Sequence, residues 1–132
     1  MLARTPGYAA YAAVKAETDV ACADPHRLVA MLYDAAIVAV NRAAERMRAR
    51  DLATKGTAIS KAIQIIDEGL LASLDLKAGG PLATNLRDLY HYMTHRLLMA
   101  SVKNDPAGLD EVARLLADLK DAWAAIEPQV RS

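Results

Sequence analysis

Along four stretches of this chain apolar residues recur at intervals of three and four, and nowhere do they alternate with polar residues over a useful length. That spacing lines up one face of an α-helix and would scatter across both faces of a strand, so the chain has to fold as helices. The first stretch runs from Pro25 to about Arg50, with Asp24 as N-cap and Pro25 at the first helical position. Asp51 caps the second, which carries Ile59, Ile63, Ile66, Leu70 and Leu74. Gly79, Gly80 and Pro81 break the pattern, and the third stretch, Pro81 to about Lys103, aligns Leu82, Leu86, Leu89, Met93, Leu97 and Ala100. Asp105 and Pro106 open the fourth, where Leu109, Val112, Leu116, Leu119, Trp123 and Ile126 alternate by three and four until Pro128 stops them. Helices of about 22 to 26 residues span roughly 33 to 39 Å. Short connections turn each back along its neighbour, so the expected fold is all-α: an antiparallel up-down-up-down four-helix bundle over residues 24–127. Residues 1–23 precede it as an arm or short helical turn bearing Tyr8, Tyr11 and Val14, and residues 1–132 read as a single domain.

Charge and composition exclude several classes of function. Sixteen basic residues balance sixteen acidic ones, which argues against nucleic acid or an anionic membrane surface as partner. Although 54% of the residues are apolar, no run reaches the ~18 uncharged positions of a membrane span. The N-terminal stretch is interrupted by Lys15 and Glu17, unlike a signal peptide, and Cys22 alone makes no intrachain disulfide. The expectation is a soluble intracellular protein.

No catalytic constellation emerges. His91 and His95 are four apart with Asp88 one turn earlier, a spacing that suits a metal ion. Yet the helical wheel turns all three away from the leucine stripe, toward solvent, and no further ligand completes a shell. No glutamate stands three residues before His26, His91 or His95, so a di-iron bundle site is ruled out. Lys55-Gly56 lacks the histidine of a phosphotransfer helix, the residue three positions before the lysine being Leu52. The Gly79-Gly80 turn has no Lys-Ser/Thr ending of a phosphate loop. Cys22, four residues before His26, reads as a small apolar side chain near a helix start. The chain is expected to have no enzymatic activity, metal or cofactor.

What stands out instead is surplus apolar surface. From Leu28 to Val40 the apolar side chains sweep an arc of about 260°, against the roughly 100° that a bundle helix needs to line a core. Leu28, Leu32, Ala35 and Ala39 suffice for the seam. Val29, Tyr33, Ala36 and Val40 form a flank that Met31, Ile37 and Val38 widen. Tyr92, Leu98, Met99 and Val102 lie off the stripe of the third helix, as Ile65 and Leu76 lie off that of the second. Such excess marks a partner surface, most simply a groove for an amphipathic helix. The alternative is a homodimer closed by the same surface, with no outside client.

The same residues carry a family resemblance. "YAAVKAETDVACADPHRLVAMLYDAAI", "KGTAISKAIQIIDEGLLASLD" and "GGPLATNLRDLYHYMTHRLLMASVKND" together resemble the flagellin-specific export chaperones of the bacterial flagellum, the FliS family, over nearly the whole chain. The matching features are a Tyr-x-x-Val-x-x-x-Thr arm, Pro-x-x-Leu, Leu-Tyr-Asp, and the Gly-Gly, Asn-Leu, Leu-Tyr and Tyr-Met pairs. Two departures are Ala35, where the family commonly has glycine, and His91, where an acidic residue often stands. The resemblance implies a cytoplasmic helical bundle that binds the C-terminal segment of flagellin, disordered before filament assembly. It also implies that binding prevents early polymerisation and that the loaded chaperone meets the flagellar type III export gate. By position it assigns client contacts to Tyr8, Tyr11, Val14, Leu28, Met31, Leu32 and Tyr33, with Tyr90, Tyr92 and Met93 on the third helix. Ile37 and Val40, from the apolar flank, complete the candidate surface. The arm is expected to fold over the empty groove and to be displaced by the client.

Overall fold

The structure, a computed structural model, describes residues 24–126, and every element among them is helical. Helix α1 spans Pro25–Arg48, and α2 spans Leu52–Gln64 and runs on as a π-helical segment, Ile65–Leu71. Helix α3 spans Leu76–Lys103 and α4 spans Pro106–Ala125. An aspartate opens each. The Asp24 carboxylate accepts from the Arg27 amide at 2.8 Å, Asp51 from Thr54 at 3.3 Å, Asp75 from Ala78 at 3.0 Å and Asp105 from Ala107 at 3.1 Å. Each bond satisfies an amide that the first turn of a helix leaves without a carbonyl.

The third helix begins earlier than its sequence pattern indicates. Asp75 caps a first turn from Leu76, and the backbone then leaves helical geometry at Gly80 (φ 56, ψ −137) before resuming through Pro81. Glycine reaches this positive φ without a side-chain clash, and Pro81 has no amide to bond back across the break. Nothing lies within 4 Å of the position a Gly80 Cβ would take. The cost of Gly80→Ala is therefore backbone strain alone, expected at about 1–3 kcal/mol and readable as a lowered urea midpoint.

Helix α1 lies between α2 and α4, while α3 packs on α4 and on the second helix, so α1 and α3 face each other across the bundle diagonal. Small side chains line the inner faces of the first two helices: Ala36, Ala39, Ala43 and Ala44 of α1 and Ala58 and Ala62 of α2 are buried. Leu32, Val40, Ile66, Leu70, Leu97, Leu109 and Leu116 fill the centre. In the π-helical segment the wider i→i+5 turn directs adjacent residues inward in pairs, Ile65 with Ile66 and Gly69 with Leu70. Ile65, expected off the stripe, is thereby buried. Leu82, expected on the stripe of α3, is 64% exposed, because in the turn after the Gly80 break Ala83 faces inward instead.

At the end of the bundle where α2 begins, Lys55 is buried and its Nζ donates to the Ser101 carbonyl at 3.3 Å and the Asn104 Oδ1 at 3.0 Å. A cation is thus held on the C-terminal carbonyls of α3, where the helix dipole is negative. At the opposite end, the His26 and Trp123 rings stack at 4.7 Å with 16° between their planes. Trp123 Nε1 donates to the His26 carbonyl at 2.8 Å, and His26 Nε2 donates to the Trp123 carbonyl at 3.0 Å. This clasp closes the start of α1 onto the end of α4. No helix among the described residues is long and apolar enough to cross a membrane.

Candidate functional site

The structure divides the candidate client residues into three groups. Tyr8, Tyr11 and Val14 lie outside the described residues. Leu32, Tyr33, Val40, Tyr90 and Met93 are buried in the core, so in this arrangement they offer no surface to a partner. Leu28, Met31 and Ile37 are half-buried along the margins of α1, and Tyr92 is 43% exposed on α3. The core positions differ from the expected open flank because α1 is contacted on two sides, by α2 and α4, and both contacts consume apolar arc. A helix wheel gives the width of that arc but not the number of neighbours it meets.

Tyr33 and Tyr90 show the consequence. They come from diagonal helices, and their hydroxyls meet in the core at 2.6 Å. Burial pushes both phenols above their ordinary range, so both stay neutral and share a hydrogen bond rather than a charge. Among the described residues no buried side-chain nitrogen or oxygen lacks a partner.

Apolar side chains remain on the outside of the filled bundle. Leu98 and Val102, one turn apart on α3, are 53% and 76% exposed, and Val38 on α1 is 55% exposed. Tyr92 donates its hydroxyl to Glu111 at 2.5 Å, and Arg96 Nε donates to the other oxygen of the same carboxylate at 2.7 Å, bracing α3 against α4. These two donors hold the Glu111 carboxyl below the usual carboxylate range. A carboxyl whose pKa is lower in the folded than in the unfolded chain stabilises above the unfolded value and loses that contribution as pH falls through the folded one. The wild-type chain is therefore expected to exceed Glu111→Gln in urea midpoint at neutral pH and to lose the margin on acidification below the usual carboxylate range.

The imidazoles of His91 and His95 lie on an exposed face, and among the described residues no group of three His, Cys, Asp or Glu side chains stands close enough to hold a metal ion. The surface points to binding through apolar contact. Val38, Leu98 and Val102 are visible in the sequence as off-stripe apolar positions. Exposed Leu52 is not, because it lies at a helix start, and Ile126, expected on the stripe of the fourth helix, is 49% exposed because that helix ends at Ala125 and the Ile126 backbone is extended.

Comparison with known proteins agrees with this character. A family described as flagellar protein FliS matches residues 7–130. The flagellar secretion chaperone FliS of Salmonella typhimurium is 47% identical over 123 residues, covering 93% of this chain and 91% of the relative. The flagellar secretion chaperone FliS of Escherichia coli is 41% identical, with 89% and 86% covered, and FliSB of Pseudomonas aeruginosa is 41% identical, with 88% and 91% covered. Matched across most of its length by family and relatives alike, the chain belongs to the FliS family, whose members are chaperones of flagellar secretion and not enzymes.

Proposed function

We propose that this chain is a cytoplasmic export chaperone that binds the disordered C-terminal segment of flagellin, prevents its early polymerisation and delivers it to the flagellar type III export gate. The observation that supports the reading is the apolar surface left over once the core is full, Leu98 and Val102 foremost. A client that is disordered when free and folds as amphipathic helices along such a surface buries a large area. It also loses ordering entropy on binding, and the complex stays releasable. Leu28, Met31, Ile37 and Tyr92 are its accessible contacts among the candidate residues. Leu32, Tyr33, Val40, Tyr90 and Met93 shape the surface from beneath, and Tyr8, Tyr11 and Val14 act from the arm.

Co-purification with full-length flagellin, and with flagellin lacking its last few dozen residues, tests the proposal. Capture of the full-length protein alone is expected, and equal capture of both contradicts the C-terminal mechanism. Because Leu98 and Val102 face water, Leu98→Glu and Val102→Glu are expected to leave the melting temperature unchanged while each weakens capture about tenfold. Sedimentation as a dimer that captures no flagellin would favour the homodimer instead.

A further inference from the structure

We infer that the bundle end formed by the α1–α2 and α3–α4 connections is a docking site for a short acidic peptide segment carrying one apolar side chain. A cavity of about 350 Å³ opens there, lined by Met47, Arg48, Arg50, Leu52, Asn104 and Pro106. Its size is at the small end for ligand pockets and suits one or two side chains. Exposed Leu52 and half-buried Pro106 supply apolar contact above the buried Met47. Arg50 supplies positive charge at the rim, Arg48 being paired with Asp110, and Arg46 and Lys103 stand in the last turns of α1 and α3 at the same end.

Carboxylates also stand at this end, Glu45 among them, exposed beside Arg46 in the last turn of α1. Asp51 and Asp105 cap helices, and Asp110 pairs with Arg48 at 2.5 Å. The Arg50 guanidinium has no hydrogen bond or ion pair among the described residues. Its backbone adds a second indication. At the end of α3 the left-handed position is taken by Asn104 (φ 50), a residue that tolerates it, whereas at the end of α1 it is taken by Arg50 (φ 62). An arginine is held in a conformation better suited to glycine or asparagine, with its charge left unused at the rim of a cavity.

The combination selects the ligand. A nucleic-acid backbone or a small anion would satisfy Arg50 but bring nothing for Leu52 and Pro106. A carboxylate-bearing peptide with a leucine-like side chain satisfies both. The inference is independent of the flagellin surface, which lies along the sides of the bundle.

Fluorescence anisotropy of the full chain tests it. The probe is a labelled peptide of about ten residues with a leucine between two pairs of glutamates in a Gly/Ser frame. Saturable binding is expected, weakened about 5-fold by Arg50→Gly and by a similar factor by Leu52→Ser. Arg50→Gly eases the strained backbone and is expected to melt no lower than wild type, so loss of binding cannot be assigned to unfolding. The inference is overturned by an absence of saturable binding or by unchanged binding to Arg50→Gly. It is equally overturned if the peptide binds as well with serine for leucine, or if oligouridylate displaces it at equal charge.

Discussion

Tyr90→Ala is expected to destabilise this chain by about 3–5 kcal/mol, a large part of the roughly 5–15 kcal/mol that holds a domain of this size folded. The side chain is 2% exposed and reaches across the bundle diagonal to Tyr33, so its removal leaves a cavity in the middle of the bundle. It also strands the Tyr33 hydroxyl, which hydrogen-bonds to that of Tyr90 at 2.6 Å. The polar part can be isolated. Tyr90→Phe or Tyr33→Phe alone leaves one buried hydroxyl unsatisfied, at a cost of about 1–3 kcal/mol, whereas the double phenylalanine removes both partners and should cost less than the sum. Urea unfolding of the four proteins measures the coupling, and strict additivity would contradict a shared bond. The same series bears on function. Under the proposed function, if Tyr90 only shapes the surface from beneath, Tyr90→Phe is expected to capture flagellin as wild type does, and Tyr90→Ala to lose capture only in proportion to its unfolded fraction.

Trp123→Ala is expected to cost about 2–4 kcal/mol and to act locally. It removes a ring stacked at 4.7 Å on His26 and a 2.8 Å bond to the His26 carbonyl, leaving the reverse bond from His26 Nε2 on an unsupported helix end. Amide hydrogen exchange should accelerate in the first turn of α1 and the last turn of α4, with little change around Leu97 in the centre. Trp123→Phe keeps a ring and loses the indole donor, so its expected cost is nearer 1 kcal/mol. Trp123 is the chain's single tryptophan, so its fluorescence reports opening of the clasp directly in the wild-type protein. Uniform exchange along all four helices of Trp123→Ala would show that the clasp is part of the global fold rather than a local closure.

Both residues were legible in the sequence, but with different roles. Trp123 sits on the apolar stripe of α4, and nothing local shows that its indole reaches His26, 97 positions away. Tyr33 and Tyr90 carry the family resemblance and read as client contacts, yet the structure spends them on each other. Lys55, weighed in the sequence as part of a Lys-Gly pair, acts as the cap of a different helix. Each of these assignments depends on a partner distant in the chain.

What the sequence by itself determined is local or cumulative. The three-four spacing, the Asp-Pro starts and the Gly-Gly-Pro break establish four helices, because helix formation depends on residues within a few turns of one another. Motifs spread over the whole length establish the family. Only the tertiary structure decided which apolar residues are core. Burial depends on how many neighbours a helix has and on the phase in which they meet it. Two neighbours on α1 buried Tyr33 and Val40, the π-helical turn brought in Ile65, and the Gly80 break turned Leu82 out. The surface left to a client is the remainder after that packing, which no single helix can specify.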